Sequence, residues 1–144
     1  MSSAGVVVDA NVIIALLDAR DATHEQAAAV LRTLVGRPKH VHPLTLSEVL
    51  VHPARRGGRE EAALQRAALA RAGFAVIDEG APSPEDIAVA RSRGLRMPDA
   101  VVLASALSLA VPLVTFDRRL ASAARDGGVP LIDGAAPDDK PKRG

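Results

Sequence analysis

The sequence predicts one α/β domain built on a single open, mostly parallel sheet with helices on both faces. Three observations predict it. Short β-branched or apolar runs alternate along the chain with longer segments of helical periodicity. The first run, Gly5-Val6-Val7-Val8, is apolar at consecutive positions, as a strand covered on both faces requires. The chain of 144 residues is long enough for one domain with a real core, and it carries no internal repeat, low-complexity core or second domain. The domain is expected over residues 1–133. Residues 134–144, rich in Pro, Asp and Lys, are expected to form a disordered tail.

The elements follow in order. After the first strand, Asn11 is expected to cap a short helix from Val12 to Leu17. Ala22 to Leu34 reads as a helix with Ala27, Val30, Leu31 and Leu34 on one stripe, ended by Gly36-Arg37-Pro38. His40 to His42 is a short strand. Thr45-Leu46-Ser47-Glu48 has the spacing of a capping box and is expected to open a helix to about Arg55. Gly57-Gly58 breaks the chain before a helix from Arg59 to Ala72, and Gly73 precedes a strand from Phe74 to Ile77. Ser83-Pro84-Glu85-Asp86 is a helix start, with Ser at the cap and Pro at the first helical position. That helix ends near Gly94. Pro98 to Leu109 is apolar nearly all round, as befits a core helix. Leu113 to Thr115 is a strand, Arg118 to Ala124 a short helix, and Val129 to Ile132 a last strand.

Composition narrows the function. Without cysteine there is neither a disulfide framework nor a thiolate zinc site, which is compatible with a reducing cytoplasm. The start lacks a basic n-region, and the apolar stretch after it is broken by Asp9 and Asn11, so neither signal peptide nor membrane span is expected. The net charge of +1 gives no global pull toward nucleic acid, but arginines cluster at 55–59, at 91–96 and at 118–119. Each cluster is equally readable as a solvated helix face or end. With Phe74 and Phe116 as the only aromatic residues, a base-stacking platform is nearly excluded, and any nucleic acid is held by phosphates and shape.

Four carboxylates stand where an apolar run ends or a helix begins. Asp9 closes the first strand, Glu48 lies one turn into the segment after His42-Pro43-Leu44, Asp99 follows Met97-Pro98, and Asp117 follows Val114-Thr115-Phe116. Ligands of open parallel sheets bind beyond the carboxyl ends of strands, where all four can meet. Such a cluster shifts its pKa values or binds a hard cation such as Mg²⁺, which points to phosphodiester chemistry. Each acid also has a local explanation. Asp9 can cap the first helix, Glu48 can answer Thr45 in the capping box, Asp99 is a typical first-turn acid, and Asp117 can cap the helix at Arg118. Asp78-Glu79 is a weak rival site, and no histidine pair has a helical metal spacing, which leaves zinc a poor candidate.

Val6-Val7-Val8-Asp9-Ala10-Asn11-Val12-Ile13, Leu44-Thr45-Leu46-Ser47-Glu48-Val49-Leu50, Met97-Pro98-Asp99-Ala100-Val101-Val102-Leu103-Ala104-Ser105-Ala106 and Leu113-Val114-Thr115-Phe116-Asp117 together resemble a PIN domain. The likeness is to the VapC type of toxin ribonuclease found in bacterial toxin–antitoxin pairs, and it runs from about Val6 to Ile132. Each motif alone is short; their order and spacing carry the resemblance. It implies an endoribonuclease dependent on Mg²⁺ or Mn²⁺, with Asp9, Glu48, Asp99 and Asp117 matching the family's acidic quartet. Asn11 and Thr115 match polar positions around that quartet. It also implies a homodimer and a cognate antitoxin protein that blocks the site.

On this reading Asp9, Asp99 and Asp117 hold metal, with Glu48 completing the set or orienting water. Arg118 and Arg119 bind phosphates of the RNA substrate. Two other readings stand beside it: a non-catalytic module of the same fold that binds protein or RNA, and a housekeeping RNA-processing nuclease. A phospho-receiver lacks its lysine here, an Asp-x-Asp phosphatase would need an acid at Asn11, and no Gly-rich phosphate loop follows the first strand.

Overall fold

The computed structural model describes residues 4–132, so the expected tail at 134–144 lies outside the described residues. The described chain runs β1 (Val6–Val8), α1 (Ala10–Leu17), α2 (His24–Arg32), β2 (Lys39–Val41), α3 (Pro43–Val49), α4 (Val51–Arg71), β3 (Phe74–Val76), α5 (Pro84–Ser92), α6 (Met97–Leu109), β4 (Leu113–Val114) and α7 (Arg118–Asp126). The four strands form one sheet in the order β3-β2-β1-β4, parallel at every pairing. Val7 of β1 lies opposite His40 on one side and Leu113 on the other. Parallel neighbours need long crossovers, and the helices supply them.

Strand alternation sorts the core into two layers. Val6 and Val8 pack with Val12 and Ile13 of α1, Val30 and Leu31 of α2, Leu46 and Val49 of α3 and Leu69 of α4. Val7, between them, packs with Ala90 of α5, Val102, Leu103 and Ala106 of α6, and Leu120 and Ala124 of α7. Both faces of β1 are therefore buried, which is why its sequence is apolar without alternation. The chain moves outward from β1 to β3, then returns to place β4 on the other side of β1. That reversal puts a crevice between the carboxyl ends of β1 and β4.

Several local expectations are met. Ser83 and Asp86 form a reciprocal capping box at α5, with Pro84 in the first turn. Helix α6 buries every residue from Ala100 to Ala106, and Ser105 satisfies its hydroxyl by donating to the Val101 carbonyl at 2.8 Å. Gly57 and Gly58 break the helical backbone inside α4 and divide it into two limbs across a kink, where Gly58 has φ 70° and ψ −156°. That backbone region is open essentially to glycine alone.

Three expectations are corrected. Helix α1 begins at Ala10, and its cap is Asp9, whose carboxylate accepts from the Ala10 amide. Asn11 sits inside the first turn, and its Oδ1 accepts from the Phe116 amide at 3.3 Å. The next helix begins at Pro43, not Thr45, because Pro suits the first helical position and the His42 ring caps it by accepting from the Leu44 amide. Thr45 is buried within α3, so the Thr45–Glu48 capping box does not form. Val129 to Ile132 is not a full strand: Leu131 makes a single parallel bridge to Leu113. Among the described residues, no helix is long and apolar enough to cross a membrane.

Candidate active site

The acids come from four separate elements. Asp9 follows β1, Glu48 lies in the last turn of α3, Asp99 lies in the first turn of α6, and Asp117 precedes α7. All four line one cleft of about 470 Å³, together with Asn11, Arg96 and the apolar side chains of Ile14 and Val51. The switch point between β1 and β4 thus coincides with the acidic cleft.

Asp9 is the most enclosed of the four, with 7% of its surface exposed. Its Oδ1 accepts from the Ala10 amide at 2.8 Å and its Oδ2 accepts from the Thr115 hydroxyl at 2.7 Å. Thr115 is fully buried, and its Oγ1 in turn accepts from the Asp117 amide at 3.0 Å. Asp117 caps α7 with Oδ1, which accepts from the amides of Arg119 and Leu120. No hydrogen bond among the described residues reaches its Oδ2.

The electrostatics follow from this packing. Burial pushes Asp9 up to about 6, against the two hydrogen bonds that favour its charge, and the nearby charges of Asp99 and Asp117 add to the rise. Asp99 is raised by partial burial and by Asp117, while Arg96 and Arg119 draw it down. Glu48, at the exposed rim, is raised by partial desolvation and by Asp99. The acids thus oppose one another's ionisation, which is the condition a bound divalent cation relieves. The donors are carboxylate oxygens with no thiolate and no histidine in the lining, a set that fits Mg²⁺ or Mn²⁺. Among the described residues, no three acidic or histidine side chains are yet drawn together into a metal-ligating group.

Local structure and site membership turn out to be compatible. Asp9 and Asp117 are both helix caps and cleft residues, each spending one oxygen on its helix. Thr115 and Asn11 lie where they tie the ends of β1 and β4 together. Arg118 and Arg119 lie exposed in the first turn of α7, outside the cleft lining, although the Arg119 charge reaches Asp99. Arg96 takes the lining position instead. Its signal in the sequence is its place three residues before Asp99, at the end of a cluster otherwise readable as solvated surface.

The fold and the sequence both find relatives. The chain resembles the solved structure of VapC20 from Mycobacterium tuberculosis, a sarcin-ricin loop cleaving toxin, at 20% identity and TM-score 0.64, covering 83% of this chain and 95% of that one. It resembles FitAcB from Neisseria gonorrhoeae at 19% identity and TM-score 0.64, covering 90% and 97% of the two chains. PAE2754 from Pyrobaculum aerophilum matches at 27% identity and TM-score 0.57, covering 91% and 85%. No curated protein matches. The family model of the PIN domain matches residues 6–126, a span that includes both strands at the switch point and all four acids. The chain belongs to the PIN domain family.

Proposed function

We propose that this chain is a divalent-metal-dependent endoribonuclease acting at the acidic cleft, and that it serves as the toxin of a toxin–antitoxin pair. The observation that carries the proposal is the assembly of Asp9, Glu48, Asp99 and Asp117 along one cleft at the switch point, with Asp9 raised to about 6. Asp9, Asp99 and Asp117 would hold the Mg²⁺ or Mn²⁺, and Glu48 would complete the set or orient a water. Thr115 and Asn11 hold the two strand ends in register, which keeps Asp9 and Asp117 at a fixed spacing. Arg118 and Arg119 face substrate phosphates, with Arg96 nearer the acids. When bound, the divalent ion supplies Lewis acidity at the scissile phosphate.

The toxin reading draws on the likeness to the Mycobacterium tuberculosis toxin. The partner reading draws on likeness to FitAB bound to a DNA fragment and to VapBC2 from Rickettsia felis bound to a DNA fragment from their promoter. On this reading a cognate antitoxin blocks the cleft of a cytoplasmic homodimer. A non-catalytic module of the same fold is the second reading, favoured by the acids not being gathered into a ligating group.

Purified protein should degrade structured RNA with Mg²⁺ or Mn²⁺ and not with EDTA. Asp9→Asn and Asp99→Asn should fold and lose that cleavage. Retained cleavage by either variant removes that residue from the mechanism, and metal-independent RNA binding without cleavage supports the second reading.

A further inference from the structure

A second pocket of about 350 Å³ opens beside the acidic cleft and shares a wall with it, since Ile14, Glu48 and Val51 line both. Its volume lies in the range of small-molecule sites, roughly 300–1,000 Å³. The floor is aliphatic: Leu17 and Val51 are each more than 40% exposed, and Val49 lies buried beneath them. The rim is polar, with His52, Arg55 and Gln65.

The pocket exists because α4 bends. His52 and Gln65 belong to the same helix and would stand roughly 20 Å apart along a straight α-helical axis. Both line this one pocket, so the kink at Gly57 and Gly58 folds the second limb of α4 back toward the first. The two glycines therefore shape a cavity next to the acids. Of the charged groups around it, Asp18 is 3.7 Å from Arg20 and Arg56 is 3.7 Å from Glu61, while Arg55 makes no ion pair among the described residues.

We propose that this pocket is a nucleotide subsite, which takes the nucleoside flanking the phosphodiester bond held at the acids. The inference rests on the nuclease reading above and names which residues contact the substrate beyond the cut. An aliphatic floor buries the base, and the Gln65 amide offers both a donor and an acceptor to its edge. Arg55 supplies a free cation for the adjoining phosphate and a planar guanidinium able to lie over a base. The shared wall with the acids favours RNA over an acidic peptide as occupant.

The test uses the full chain on a pool of randomised short ribonucleotides, with the cut ends sequenced. Gln65→Ala should flatten the base preference at one position next to the cut and leave the other positions as they were. Leu17→Trp, which fills the pocket from an exposed position, should raise KM for RNA. It should lower selectivity for RNA over bis(p-nitrophenyl) phosphate, a diester with no flanking base, by about tenfold, because the base loses its apolar burial. Preferences and selectivity unchanged in both variants overturn the subsite while leaving the nuclease reading intact.

If the parent protein cleaves neither substrate, the nuclease reading fails. The pocket is then judged from the Val49 methyl signals, which both parent and variant keep, titrated with the same ribonucleotides. Shifts that Leu17→Trp abolishes support the subsite. Absence of shifts, or shifts produced only by an acidic peptide, overturns it.

Discussion

The Thr115 hydroxyl donates to Asp9 Oδ2 at 2.7 Å while accepting from the Asp117 amide at 3.0 Å, so one buried side chain joins the ends of two neighbouring strands. The residues it joins to Asp9 lie more than a hundred positions further along the chain, and β4 beside β1 is what brings them together. A hydroxyl in this position does two things. It favours the charged form of a carboxylate that burial otherwise neutralises, and it fixes where Asp117 begins α7.

Removing that hydroxyl should cost stability and alter titration together. Thr115→Val leaves Asp9 Oδ2 and the Asp117 amide without their partner, at about 1.5–3 kcal/mol for a buried bond to a charged group. The melting temperature should fall by roughly 4–10 °C. Asp9 should rise further, so the acid limb of any cleavage profile moves to higher pH, and Thr115→Ser should restore both. Thermal melts and pH–rate profiles of the two variants check this.

The pH dependence of stability has a defined sign. Asp9 titrates near its ordinary 3.8 when unfolded and at about 6 when folded. Below pH 3.8 it is protonated in both states and costs nothing. As pH rises from 3.8 through 6, the folded protein keeps a proton that the unfolded chain has released, and stability falls. Above pH 6 the loss is complete, and the difference between the two pKa values corresponds to roughly 3 kcal/mol. Asp9→Asn should therefore melt several degrees higher than the parent at pH 7.5 in EDTA, with the advantage gone by about pH 4. A variant that melts lower at pH 7.5 would contradict the buried, raised carboxyl.

A divalent cation should reverse that penalty. At a hundredfold excess over its dissociation constant, Mg²⁺ or Mn²⁺ should stabilise the protein by about 2.7 kcal/mol, and Na⁺ at equal ionic strength should not. Asp99→Asn should remove most of the effect. Its carboxyl is raised by burial and by Asp117, so the stabilisation should strengthen as pH rises and the site ionises. Melts across a metal titration at two pH values measure this directly.

The kink in α4 should resist substitution. Gly58→Ala places a Cβ on a backbone at φ 70° and ψ −156°, at a cost of about 1–3 kcal/mol. Gly57→Ala brings a Cβ within 2.8 Å of the Glu61 Cβ, so the second limb of α4 must shift. Both variants should lower the urea midpoint, with the m-value unchanged. An alanine at 58 without effect would mean that the helix straightens freely.

What the sequence determined by itself was local. The triple-valine run, the Ser83-Pro84 helix start, the all-round apolar α6 and the double glycine in α4 each act within a turn or two of chain, where side-chain shape and backbone preference decide. The four acids were legible because each breaks such a local pattern. The Pro43 start of α3 was legible too, by the same rule that marks Pro84, but the Thr45 spacing competed with it. Tertiary structure decided the rest. Asp9 rather than Asn11 caps α1 because the Asn11 side chain is drawn to the Phe116 amide across the switch point. Leu131 makes only one bridge because β4 itself is two residues long. The order β3-β2-β1-β4 sets Asp9 beside Asp117, and helix packing sets Glu48, Asp99 and Arg96 around them. These are contacts between distant stretches of chain, and only the packing of helices against both faces of the sheet chooses among them.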